Sequence, residues 1–353
     1  MIANVLPVVA LAGAAMAASC PIAVEIADTT NHVAHVALTN TGSEAITVFK
    51  GNTVLDAHAT KDLLVSDAAG NPLPFKGMYV NYKKAGLTAD LFQTLQPGET
   101  VTASVNAAKT YDLEGVDSAQ VTAIQGFRYV VGTEAPTKVS DLTSCDDVMS
   151  KEATIVPDQS TAASDAIVKR EDQFNSRIKK RAITYSGCTT SEESTLKTSF
   201  SDAVSMSTKA KTAAASSADY YTTWFKSTSV ASTVEKIYGD VAGVQTTAPT
   251  VSCTDTSNDC SSDVIAYTLP SANRIVPCDA FWDLDIQLAT QCSGDDYDWA
   301  GSMLHESTHL FGTDDYAYGP TAAQALSAAK ASENADTYEM YAESVRLGGC
   351  TTG

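Results

Sequence analysis

His305 and His309 stand four residues apart with Glu306 between them, inside the stretch "HESTHLFGTDDYAYG" at 305–319. On a helix, positions i and i+4 share one face about 5 to 6 Å apart, so the two imidazoles can converge on one divalent cation. Glu306, next to the first histidine, then flanks the coordination position left open. From there it can take a proton from a water attacking a carbonyl. The chain has five histidines, and these two are the only ones beyond residue 58, which makes a chance pairing or a purely packed pair a poor account of them.

A catalytic zinc takes three protein ligands and keeps one position open. No third histidine follows, and the six cysteines beyond Ala182 suit disulfides, so the third ligand has to be Asp or Glu. Two places can supply it. Gly312 can end the helix and let the chain double back, which brings Asp314 or Asp315 beside the metal. A following helix could instead offer Glu333, Asp336, Glu339 or Glu343. Spacing alone leaves both open.

The elements that must hold these residues are legible in outline. A helix is expected from about Asp296 through His309, then a glycine-containing turn. A final helix should run from about Thr321 to Leu347, with Pro320 in its first turn and Gly348 at its end. Upstream, "TTSEESTLKTSFSDAVSMSTKAKTAAASSADYYTTWF" opens with a Thr or Ser cap and early glutamates, and reads as one or two helices. "VIAYTLP" and "RIVPCDAFW" are the convincing strands of this half, and one of them should offer an edge to an extended peptide. Residues 20 to about 148 alternate apolar and polar between Asn, Thr, Gly and Ser turns, as an antiparallel sandwich does. His32, His35 and His58 lie there and are read as structural.

Two processing signals divide the chain. Residues 1–17 form a short apolar run ending in Ala15-Met16-Ala17, the pattern of a secretory signal peptide, although Cys20 could alternatively carry a lipid anchor. Lys179-Lys180-Arg181 precede Ala182 in a polar stretch, where Lys180 and Arg181 form a dibasic site for a processing endoprotease; a solvated charge cluster is the bland alternative. The expected organisation is therefore signal peptide 1–17, β-rich propeptide domain 18–148, linker 149–181 and a metal-binding domain 182–353. Cys20 and Cys145 precede the cut, while Cys188, Cys253, Cys260, Cys278, Cys292 and Cys350 follow it. An even number on each side suits separate disulfide frameworks in a secreted, extracellular protein. No other segment is apolar enough to span a membrane.

The net charge is −19 over 353 residues, and from Ala182 onward 22 acidic residues face 8 basic ones, which accounts for −14 of it. Such a surface opposes nucleic-acid binding and attracts basic peptides, though solubility would explain the same bias. No nucleic-acid or membrane partner is expected, and the chain should act as a monomer.

"HESTH" followed by "GTDDYAYG", with "NADTYEMYA" at 334–342, resembles the HExxH plus GTxDxxYG signature of the aspzincins, the deuterolysin-type (M35) fungal metalloendopeptidases. The resemblance implies a secreted zinc metalloendopeptidase that hydrolyses proteins with metal-activated water. It would be made as a latent preproprotein, with one Zn²⁺ per chain and the propeptide as intramolecular inhibitor or folding aid. It makes Asp315 the third ligand beside His305 and His309, Glu306 the base and Tyr318 the donor to the oxyanion, with Asp314 a neighbouring carboxylate. It implies that Asp336 and Glu339, which share a helix face, receive a Lys after the scissile bond; a solvated acidic face is the alternative. It also pairs Cys188 with Cys253, Cys260 with Cys278 and Cys292 with Cys350, which leaves Cys20 for Cys145. The implied fold is two-domain, a β-sandwich-like propeptide and a mainly α zincin-like catalytic domain with a small antiparallel sheet (α+β). Only Leu310, Phe311 and Gly312 separate His309 from Thr313, a shorter spacer than the family pattern, which bears on the shape of the cleft. The rival reading is a secreted, non-catalytic zinc-binding or surface-interaction protein.

Overall fold

The computed structural model describes residues 20–145, 148–168, 182–218, 220–291 and 298–349. The signal segment 1–17, the dibasic Lys180 and Arg181, and both Cys292 and Cys350 lie outside them.

The N-terminal part follows its alternating pattern. Val33–Asn40 points Ala34, Val36 and Leu38 inward and pairs antiparallel with Ile22–Thr30 on one side and Thr100–Asn106 on the other. A second antiparallel sheet centres on Ile46–Phe49, between Phe92–Leu95 and Arg128–Val131. A third is built on Ala119–Gln125, flanked by Leu63–Asp67, Val148–Met149 and Ala153–Ile155. The Val36, Leu38, Val48, Leu63, Val65, Val121 and Phe127 side chains fill the core between them. A Cys20–Cys145 disulfide ties the ends of this part together and leaves Cys20 no thiol for a lipid anchor.

The start of the expected linker is not structure-poor. Ala153–Ile155 adds a strand with Ile155 fully buried, and Ala162–Asp165 is a short helix whose Asp165 carboxylate accepts from His32 and Asn106. Isolated apolar residues at 155 and 162, too few to register as a pattern, bury there and carry the β-rich part to Val168.

Asp62 is buried in this part, close to Asp56, Tyr82 and Tyr111. Burial, reinforced by Asp56, pushes its carboxyl up to about 7, against the hydrogen bond that Thr60 donates. A raised carboxyl favours the fold while it stays protonated. The contribution is complete below about pH 4, declines as the unfolded chain ionises, and is gone once pH passes about 7, a loss of about 4 kcal/mol. Asp62→Asn keeps the acceptor for Thr60 without the charge. We expect it to raise the thermal midpoint at pH 8 and leave it unchanged at pH 4; equal midpoints at pH 8 would contradict the account.

Beyond residue 182 the texture turns helical. Thr189 and Glu192 cap Thr190–Ala215 reciprocally, and Leu196, Phe200, Ala203, Met206 and Ala210 recur every three to four residues along its buried stripe. Ala231–Ala242, Trp299–His309 and Ala335–Leu347 pack on that stripe. Disulfides Cys188–Cys253 and Cys260–Cys278 are formed as the resemblance implied.

The sheet beside these helices is mixed rather than wholly antiparallel. Thr184–Ser186, Thr250–Ser252 and Arg274–Pro277 pair in parallel, because the long helical excursion from 190 to 247 returns the chain to the same end. Arg274–Pro277 then pairs antiparallel with Val264–Leu269. "AFW" leaves the expected second strand as the helical turn Asp279–Trp282. The outer edge of Val264–Leu269 is taken by Tyr79–Tyr82 of the N-terminal part, antiparallel. A third apolar cluster, with Phe49, Val80, Tyr82, Tyr267, Leu269 and Tyr318, is shared by both parts at this junction.

The expected final helix is three: Pro320–Ala325, Ala328–Ala331 and Ala335–Leu347. Asn334 explains the interruption. Its Oδ1 accepts the N–H groups of Tyr316 and Ala317, its Nδ2 donates to Ala317 O, and Asp314 exchanges backbone bonds with Glu333 and Ala335. Those tertiary bonds hold Asn334 itself extended, which makes the second of the two breaks.

Candidate metal centre

Trp299–His309 carries the two histidines. It starts at Asp298, whose carboxylate accepts from Gly301 N–H, two residues later than the sequence suggested. At its other end Gly312 adopts φ +103°, a conformation that L side chains rarely adopt, and turns the chain back. The short spacer has a local use. It brings the Thr313 carbonyl within 3.0 Å of His309 Nδ1, so that nitrogen donates to it and the ring is held with Nε2 toward Asp315.

The turn delivers Asp315. Its Oδ1 lies 3.3 Å from His305 Nε2 and its Oδ2 3.4 Å from His309 Nε2. Two ligands held tetrahedrally at bonds of about 2.0–2.1 Å stand about 3.3–3.4 Å apart, so this is the spacing of groups around one ion. Both Asp315 oxygens and both Nε2 atoms are buried without a hydrogen-bond partner. Unpaired buried polar atoms at ligand spacing, a carboxylate with two imidazoles, fit zinc. Burial alone would raise the Asp315 carboxyl, but His309 and His305 pull it below its ordinary value.

Of the alternatives left open by spacing, Asp314 turns away. It accepts from Tyr79 Oη at 2.5 Å, Lys61 Nζ at 2.7 Å and Tyr316 Oη at 2.9 Å. Glu333 lies near Tyr316 Oη and Glu343 pairs with Arg346. Asp336 and Glu339 gather on the other side of His305, with Glu339 Oε2 at 3.4 Å and Asp336 Oδ1 at 3.9 Å from Nδ1. They make a second acidic group with His305. That group already holds a cation: Lys84 Nζ lies 2.9 Å from Asp336 Oδ1 and 3.4 Å from Glu339 Oε1, all three residues being buried. Burial works against the Lys84 charge, but Asp336 and Glu339 outweigh it and hold the ammonium above its ordinary pKa. Gly301 leaves room for this arrangement, since a Cβ there would come within 3.2 Å of Glu339 Oε1.

Glu306 sits on the same helix, fully buried, with Oε2 2.6 Å from Thr268 Oγ1 on Val264–Leu269 and Oε1 unpartnered. Burial raises its carboxyl, opposed by His305 and His309. A carboxyl held at one oxygen and without a partner at the other suits proton transfer. Tyr318 stacks near His305, ring centroids 6.1 Å apart, and its hydroxyl donates to the Val80 carbonyl at 2.7 Å while accepting from Asn52 Nδ2.

His305, Glu306, His309, Asp315 and Tyr318, all expected from sequence, are thus brought together, and Asp336 and Glu339 adjoin them. Sequence reasoning missed Thr268, Tyr79 and Lys84. Tyr79 lies stacked on His309 at 4.4 Å. "YVNYKK" gives an alternating strand signal at most, and nothing in it shows which acidic pair its lysine meets.

The profile of the family described as lysine-specific metallo-endopeptidases matches residues 210–343. A neutral protease 2 homolog of Phaeosphaeria nodorum is 34% identical over 363 residues, covering 98% of this chain and 99% of its own length. One from Sclerotinia sclerotiorum is 33% identical over 330 residues, covering 90% and 88%. One from Arthroderma gypseum is 33% identical over 353 residues, covering 95% and 96%.

Proposed function

Because the chain belongs to the aspzincin (M35) family and is a zinc-dependent metallo-endopeptidase, we propose that His305, His309 and Asp315 hold its zinc and that it cleaves peptide bonds preceding lysine. The observation that carries this reading is the set of unpartnered Nε2 and carboxylate atoms at 3.3–3.4 Å beside a buried glutamate. When bound there, zinc supplies a Lewis acid that polarises the scissile carbonyl and acidifies water. Glu306 takes the proton from the attacking water through its open Oε1 and passes it to the leaving amine. Tyr318 donates to the oxyanion as it develops. Thr268 fixes the Glu306 carboxylate, and Thr313 fixes the His309 ring.

Asp336 and Glu339 form the pocket for the lysine that follows the scissile bond. A flexible, compact ammonium reaches a buried pair of carboxylates more readily than a guanidinium does, which supports lysine over arginine. The substrate backbone takes the place of Tyr79–Tyr82 along Val264–Leu269, whose N–H and C=O groups pair with an added strand.

The remaining features fit a secreted zymogen. Residues 1–17 direct export, 18–148 with their extension to Val168 form a propeptide domain that aids folding and keeps the enzyme latent, and cleavage after Lys180-Arg181 severs its covalent link to the catalytic domain 182–353, which acts as a monomer on protein or peptide substrates, basic ones preferred. The test is direct. The full chain, cut after Arg181 and supplied with zinc, should hydrolyse denatured casein and yield fragments that begin with lysine. Fragment ends without lysine enrichment would remove the pocket assignment, and absence of hydrolysis at every dilution of the cut chain would remove the whole reading.

A further inference from the structure

The substrate edge and the acidic pocket are both filled by the same short segment. Tyr79–Tyr82 pairs antiparallel with Val264–Leu269, Tyr79 against Thr268 and Tyr82 against Val264, and Lys83 N–H continues to the Asp263 carbonyl. Lys84 then enters the pocket of Asp336 and Glu339. Tyr79 stacks on His309 and hydrogen-bonds Asp314, so the segment covers the metal group from the side a substrate would use. A strand along the edge, a carbonyl at Tyr318 and a lysine in the acidic pocket are the three features required of a bound peptide.

They are, however, out of step. The carbonyl that Tyr318 holds belongs to Val80, and the residue after it is Asn81, whereas the lysine in the pocket is Lys84. A bond cleaved before lysine would need the Lys83 carbonyl at Tyr318. The segment therefore fills the cleft without presenting a cleavable bond.

Covalent continuity is not what keeps it there. Lys84 lies about a hundred residues before Arg181, and its segment is held by a strand ladder, the ion pairs of Lys84 and the shared apolar cluster of Phe49, Val80, Tyr82, Tyr267 and Leu269. We infer that residues 79–84 are a substrate-mimicking plug, held in a non-productive register by Lys84, and that cutting after Arg181 leaves the N-terminal part bound as a dissociable inhibitor of the cleft. This rests on the reading of Asp336 and Glu339 as a lysine pocket. Processing then arms the enzyme, and dilution or destruction of the N-terminal part activates it.

The experiment is to cut the full chain after Arg181, supply zinc, and follow hydrolysis of a quenched fluorescent peptide with one internal lysine while the cut protein is diluted. Activity per molecule should rise on dilution as the two parts separate. Lys84→Met leaves two buried carboxylates without their cation, and it should move the dilution midpoint to a concentration about 10²–10³-fold higher without changing the limiting activity. Lys84→Arg, which keeps the charge, should move it less. Activity per molecule that does not depend on dilution in the cut wild type overturns this inference alone and needs no variant to do so. Equal midpoints for wild type and Lys84→Met also overturn it. No activity at any dilution overturns the peptidase cleft itself and this inference with it.

Discussion

Glu306→Gln is expected to lower peptide hydrolysis by about 10³-fold while the cut chain keeps one zinc. The expectation follows from how the residue is held. Its carboxyl is fully buried on the helix that carries both histidines, one oxygen fixed by Thr268 and the other buried without a hydrogen-bond partner. Glutamine has nearly the same shape and retains an oxygen for Thr268, so neither the helix nor the imidazoles should move. What it lacks is a site for the proton of the attacking water. Zinc content by emission spectroscopy and initial rates on the same preparation separate the two effects. A variant with zinc and near-normal rates would show that another group is the base; loss of both together would show that Glu306 supports the metal.

Asp315→Ala is expected to lose zinc outright, well beyond the 10–100-fold weakening that removal of an outer partner causes. Asp315 alone among the nearby carboxylates faces both Nε2 atoms. Glu333→Ala should keep its zinc, because Glu333 reaches only Tyr316 Oη, at 3.5 Å. Asp336→Ala should keep it too, within the range of an outer partner, since Asp336 faces the Nδ1 side of His305 and the Lys84 ammonium. Normal zinc in Asp315→Ala with loss in Asp336→Ala would relocate the metal to the second acidic group.

The chemistry was legible in sequence because it is local. Two histidines four apart and a glutamate beside them need only a helix to converge, and Asp298, Gly312 and the buried Ala300, Met303 and Leu304 give that helix its limits and its packed face. Alternation along Val33–Asn40 likewise announced a half-buried strand, and the recurrence from Leu196 to Ala210 announced an amphipathic helix. Each is a pattern of period two or 3.6 that the backbone imposes over a few residues.

The choices that spacing left open turn on contacts between distant residues. Asp314 and Asp315 are chemically identical neighbours, and only the turn made by Gly312, locked by the Asn334 side chain, sends one to the imidazoles and the other to Tyr79 and Lys61. The same side chain breaks a helix that local propensity would have continued. Asp336 and Glu339 read from sequence as either a lysine pocket or a solvated acidic face, and folding brings Lys84 to them across more than 250 residues. Sequence by itself determined which groups can bind a metal and move a proton, because those depend on residue type and helical geometry. Tertiary structure decided which carboxylate faces the two imidazoles and which meets Lys84, because burial makes those carboxylates depend on partners that lie far away along the chain.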